Sequence, residues 1–156
     1  MHTIHDADDV RRLLTQASER LTPGAQATET DANSWAVEFD SGEGFELEWC
    51  AEGSRLVLIA ALGVPPPEGE IAALNLALSY NALWREIGDL RIARDGDDGE
   101  LMLIGELGPE DGEPETFLAA LQHFESLQRW WTQAIAKTSE PGDAAPVDHA
   151  LLLGRI

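Results

Sequence analysis

The side chains able to do chemistry here are one cysteine, four histidines and a large excess of carboxylates. Cys50 lies between Trp49 and Ala51 in a strand-like stretch, where a lone thiol serves as a small apolar side chain rather than an activated nucleophile. His2 and His5 stand near the N-terminus, and His123 and His149 far along the chain; none has a second ligand at a spacing that closes a metal shell. The run Asp95 to Glu100 has the composition of a calcium loop but lacks helical flanks and the bidentate Glu such a loop needs, so it reads as a turn. Paired carboxylates such as Glu46 with Glu48 and Glu68 with Glu70 carry no specific acid–base signal in so acidic a chain. The motifs Gly-x-x-x-x-Gly-Lys, Gly-x-Gly-x-x-Gly and Gly-x-Ser-x-Gly are absent, which removes the common phosphate, dinucleotide and hydrolase signatures. The residues therefore predict no catalytic centre, no metal and no cofactor.

The elements that would carry these side chains follow from periodicity. Asp6 to Leu21 places Val10, Leu13, Leu14, Ala17 and Leu21 on one helical stripe, with Asp6, Asp8 and Asp9 at the dipole-favoured start. Thr22-Pro23-Gly24 stops it, and a polar linker follows. Trp35, Val37 and Phe39, then Phe45, Leu47 and Trp49, alternate with polar or small residues and predict a hairpin with one apolar and one acidic face. Arg55 to Leu62 is apolar at nearly every position, as in a central strand covered on both faces. Glu68 to Ile87 has helical composition, with apolar residues spread round its circumference, so it requires two neighbours. Leu90 to Arg94 and Glu100 to Leu107 predict a second hairpin, and Glu115 to Ala136 a last amphipathic helix. The reading is α+β: helix, three strands, helix, two strands, helix, forming a twisted antiparallel sheet packed with helices. One domain spans residues 1–136, and residues 137–156, rich in Ser, Pro, Gly, Asp and Ala, form a flexible tail.

Charge narrows the class of partner. Ten Lys and Arg stand against 29 Asp and Glu in 156 residues, a formal net charge of -19. Lys137 is the only lysine and the arginines are scattered, so neither nucleic acid nor an anionic membrane surface has a basic patch to bind. The acidity keeps an association-prone surface soluble. A single cysteine allows no intramolecular disulfide, the N-terminus lacks the apolar stretch of a signal peptide, and no apolar run reaches membrane-spanning length, so a cytoplasmic protein is expected.

Order and spacing of several stretches resemble the class I, CesT-like chaperones of bacterial type III secretion. The similarity runs through the apolar strand Leu56 to Leu62, the proline break, the helix carrying Leu78-Ser79-Tyr80-Asn81-Ala82-Leu83, Gly88, the strand Leu90 to Ala93, the strand Leu101 to Ile104, and a final helix with Phe124, Trp130 and Trp131. With the first helix and hairpin it covers roughly residues 5 to 136. The resemblance implies a homodimer with the middle helix at its interface, binding the N-terminal region of secreted effector proteins and keeping it soluble, extended and competent for secretion. The secretion-apparatus ATPase is a further partner in that reading. Expected effector-binding residues are Val10, Leu13, Leu14, Ala17 and Leu21, with Trp35, Val37, Phe39, Phe45, Leu47 and Trp49; expected interface residues are Leu76, Tyr80, Leu83 and Trp84. The alternative is a binding or regulatory module of the same fold with no secretion client.

Overall fold

The computed structural model describes residues 2–96 and 99–139. Most of the expected tail, from residue 140 on, and the centre of the acidic turn lie outside the described residues. The elements are α1 (Ala7–Ser18), β1 (Gln26–Asp31), β2 (Ser34–Glu38), β3 (Gly44–Cys50), β4 (Arg55–Gly63), α2 (Glu70–Asn81), α3 (Trp84–Ile87), β5 (Arg91–Arg94), β6 (Leu101–Leu107) and α4 (Pro114–Lys137), with short 3-10 turns at Pro67–Gly69 and Pro109–Gly112. The strands hydrogen-bond in the order β1-β2-β3-β4-β6-β5, and the pairs β1–β2, β2–β3, β3–β4 and β5–β6 are antiparallel. The α+β class expected from periodicity is the class observed. The described residues divide into two compact units, 2–60 with 105–125, and 61–96 and 99–104 with 126–139.

In the first unit, α1 starts where the Asp6 carboxylate accepts the Asp9 backbone N–H at 3.0 Å, satisfying one of the donors a helix leaves free at its start. Its stripe Val10, Leu13, Leu14 and Ala17 is buried, as is Leu21 just beyond it. The segment after Gly24 is not a linker. Gln26–Asp31 forms β1, an edge strand paired through Thr28↔Ala36 and Ala27↔Val37. It was illegible because Gln-Ala-Thr-Glu-Thr-Asp lies exposed along almost its whole length and so carries no apolar alternation; what holds it is the ladder to β2. The hairpin expected from Trp35 to Trp49 forms, with Trp35 opposite Leu47 and Val37 opposite Phe45. Strand β4 continues it, setting Leu56 opposite Trp49 and Leu58 opposite Leu47.

The inner sheet face (Trp35, Val37, Phe45, Leu47, Trp49, Leu56, Leu58, Ala60) is buried, together with Phe117, Leu118, Leu121 and Phe124 of α4. Phe124 meets Phe45 edge-on with ring centres 5.3 Å apart. Polar ties hold the exit of α1 to α4: Arg20 pairs with Glu115, Thr22 donates to the buried Glu125, and Gln122 donates to the Arg20 carbonyl at 3.3 Å. The N-terminal segment is held by Ile4 N–H on the Pro109 carbonyl at 3.0 Å and His2 N–H on the Glu113 carboxylate at 2.8 Å.

In the second unit, the expected single helix over 68–87 is two. Asn81 ends α2, and the next bonds mix spacings, Ala82 N–H to the Leu78 carbonyl at 3.1 Å and Leu83 N–H to the Tyr80 carbonyl at 2.9 Å, the tightening typical of a helix end. The cause lies in Asn81, whose side chain leaves the helix surface to bond β5: its amide donates to the Ile92 carbonyl at 2.9 Å and its oxygen accepts the Ile92 N–H at 2.8 Å. Ala73, Ala77 and Tyr80 make the buried face of α2. Tyr80 packs edge-on against Trp131 at 5.2 Å, and Trp131 against Trp130 at the same separation. Arg94 of β5 pairs with Glu70 at the head of α2 at 2.6 Å. The end of α4 passes so close to the start of α2 that a Cβ on Gly69 would lie 2.8 Å from the Thr138 carbonyl carbon, which leaves room only for glycine.

Candidate interaction surfaces

Burial sorts the eleven residues expected to grip a client. Val10, Leu13, Leu14, Ala17, Leu21, Trp35, Val37, Phe45, Leu47 and Trp49 all lie inside the first unit, none above 6% exposed. Phe39 alone is half-buried; its ring meets that of Phe45 at a tilt of 57° with centres 6.0 Å apart, so an aromatic row runs from Phe39 through Phe45 to Phe124. The sequence periodicity that marked these side chains as apolar-facing is the same whether the face meets a client or α1 and α4.

The four expected interface residues are in different positions. Trp84 is 62% exposed, Leu76 and Leu83 are half-buried, and Tyr80 is buried. Burial without a solvating partner pushes the Tyr80 hydroxyl up to about 12, and that hydroxyl and the Trp131 indole N–H are buried without a hydrogen-bond partner among the described residues. Beside Trp84 the Arg85 guanidinium sits over the indole, 4.9 Å from its centre. Further along, α2 turns Ile71 (77% exposed) and Leu78 (67%) to the outside, one on top of the other two turns apart. These two and Val64 are surface that the sequence did not assign to an interface. A helix that buries two alanines and a tyrosine while isoleucine and leucine face outward is inverted relative to a solvated amphipathic helix.

The first unit carries a second unassigned surface. Strand β4 buries Leu56, Leu58 and Ala60 on one face and leaves Val57 and Ile59 half-buried on the other, so the expected cover on both faces is present on one. Glu46 and Glu48 of β3 and Glu38 of β2 point outward and are exposed.

The groups that could do chemistry are scattered. Cys50 is free and half-buried. His2 lies 3.5 Å from Glu113, half-burial lowers His123 below the usual imidazole range, and His149 falls outside the described residues. Among the described residues no three His, Cys, Asp or Glu side chains could together hold a metal ion, and no helix is long and apolar enough to cross a membrane. The clear electrostatic perturbations are surface pairings: Arg12 lowers Asp9, Arg11 lowers Glu29, Arg20 lowers Glu115, and the His2 backbone N–H lowers Glu113.

The fold is α+β, and of its most exposed large apolar side chains Ile71, Leu78 and Trp84 lie on α2 and α3, with Val64 just ahead of them. Residues 12–131 match the model of the Tir chaperone protein (CesT) family, and the chain belongs to that family. Among solved structures it is similar to a chain of the ExsC-ExsE complex, at 24% identity and TM-score 0.68 over 83% of this chain and 96% of that one. It is similar also to a chain of the HopA1-SchA chaperone-effector complex, at 18% identity and TM-score 0.61 over 82% and 98%. YbjN from E. coli, described as a candidate transcription regulator, shares the fold at 16% identity and TM-score 0.58 over 86% and 94%. No curated protein sequence matches significantly.

Proposed function

We propose that this protein is a cytoplasmic, homodimeric secretion chaperone that holds the N-terminal region of one or more type III effectors soluble, largely extended and competent for secretion. The observation that carries the reading, within a family of chaperones, is the outward apolar surface of Ile71, Leu78 and Trp84. Burying such side chains is worth roughly 25 cal/mol per Å² removed from water. A second copy meeting this surface through α2 and α3 would supply the neighbour the helix lacks, with Leu76 and Leu83 at its margin. Tyr80, being buried, would support that interface from beneath.

Client capture would use apolar burial and strand addition at an open sheet edge, less the free energy of ordering the client. Of the eleven residues expected to touch it, Phe39 offers surface in the isolated chain; the other ten would reach a client only if α1 moved off the sheet. The reading contains no catalytic step and no cofactor. Delivery to the secretion-apparatus ATPase belongs to the same proposal.

Two measurements test it. Light scattering of the pure protein should give twice the chain mass, and Trp84→Glu should give the monomer mass with an unchanged far-UV spectrum. Co-expression should make an effector's N-terminal region soluble only when this protein is present; an effector equally soluble without it would sink the reading. The likeness to YbjN supports a second reading, a regulatory binding module without a secretion client, for which the dimer would form and no effector would be solubilised.

A further inference from the structure

We infer that the outer face of β2, β3 and β4 in the first unit binds a short helical stretch of polypeptide carrying a row of Lys or Arg beside a row of aliphatic residues. This deepens the client-holding reading and rests on it. Two cross-strand rows define the face. Ser34 stands opposite Glu48, and Glu48 opposite Val57; Ala36 stands opposite Glu46, and Glu46 opposite Ile59. Each row therefore reads small residue, carboxylate, β-branched aliphatic residue. Adjacent strands lie about 4.8 Å apart and alternate residues of one strand about 7 Å apart. The surface is thus a carboxylate lane on β3 running beside an aliphatic lane on β4, with β2 leaving open space on the far side.

Three observations select the occupant. The inner face of the same strands is buried while Val57 and Ile59 are only half-buried, so the outer aliphatic lane lacks the cover that the inner one has. Glu38, Glu46 and Glu48 form no ion pair among the described residues, whereas all the arginines of this unit are engaged by other carboxylates: Arg11, Arg12 and Arg20 by Glu29, Asp9 and Glu115, and Arg55, which heads the β4 lane on this same face, by Glu106 at 3.4 Å. A second copy would lay carboxylate lanes against each other in a chain already at -19, so this face repels its own kind and suits a cation. A strand presents one lane of side chains per side, but one side of a helix presents two, through positions i, i+4 and i+3, i+7, with a repeat of about 6 Å along its axis. That repeat fits the separation of Glu46 and Glu48, which is why the bound stretch is helical within an otherwise extended client.

The experiment uses the full chain and three fluorescent helical peptides that share an aliphatic lane and carry Arg, Gln or Glu in the adjacent lane. By fluorescence anisotropy, the Arg peptide should bind at least tenfold more tightly than the Gln peptide, the Glu peptide should not bind, and raising salt from 50 to 300 mM should weaken the Arg peptide several-fold. The double variant Glu46→Gln, Glu48→Gln should erase the advantage of Arg over Gln, and Ile59→Ser should weaken both peptides, with circular dichroism confirming that each variant is folded. Equal binding of Arg and Gln peptides, no binding of any, or an unchanged Arg advantage in the double variant overturns the inference. If an effector remains soluble on co-expression while the peptides fail, the chaperone reading stands and this face is not its charge-selective site.

Discussion

Asn81 shows how much a single side chain can decide. By bonding both backbone groups of Ile92 it ends α2 early, fixes α2 to β5, and prevents a helix that the sequence would have run on to Ile87. Asparagine competes with helical hydrogen bonding by such local and tertiary bonds, so the break is visible in hindsight as an Asn in a Leu-rich helix, but nothing in the spacing names its partner. Asn81→Ala leaves the Ile92 N–H and carbonyl unpaired where they were satisfied, and unsatisfied groups of this kind cost about 1–3 kcal/mol each when buried. The expected outcome is a loss of about 1–3 kcal/mol in the urea-denaturation stability with the β5 amides exchanging faster. An unchanged denaturation midpoint would show that the Asn81 bonds are replaced by water at no loss.

At the level of elements, the first helix carries the sharpest contrast between what was legible and what was not. Val10, Leu13, Leu14 and Ala17 were readable as one stripe, and they are one stripe; the sequence could not say that Leu47, Trp49 and Phe117 are buried in the same unit, because that follows from pairing across long separations. The alternation of β2 and β3 and the amphipathic run of α4 were legible for the same reason, a strong local period. Strand β1 was not, since an exposed edge strand needs no period, and neither was the outward apolar surface of α2, where leucines and isoleucines all round a helix leave the buried side undetermined. Leu14 is 2% exposed, so Leu14→Glu puts a carboxylate into an apolar interior. A stability loss above about 3 kcal/mol is expected in denaturant titration, with effector binding falling in proportion to the unfolded fraction. Binding lost from a protein of unchanged stability would instead place the α1 stripe in direct contact with the client.

For the molecule as a whole, charge sets the response to pH. Asp9, Glu29, Glu113 and Glu115 have carboxyls lowered by Arg12, Arg11, the His2 N–H and Arg20 respectively, so the unfolded chain binds protons there before the folded one does. Their contribution is complete above the ordinary carboxyl values of 3.8 to 4.5 and is lost as pH falls through the lower folded values. His123, lowered by burial, acts in the same direction at higher pH: its neutral form is the one the fold accepts, so stability declines as pH drops below 6.5. The denaturation midpoint should accordingly fall in two stages on acidification, the upper stage vanishing in His123→Gln. A midpoint flat from pH 7 to 5 in the unaltered protein would remove His123 from this account.

The position of Asn81 also bears on self-assembly. Growth of a filament by lateral stacking of sheets needs two borders per molecule, one to add to and one to be added to. With β1 and β5 as the two borders and the middle of β5 already saturated by an amide from its own chain, each molecule can accept a neighbour on one side but cannot pass the template on. An exposed border on one side alone is thereby kept from seeding a fibre.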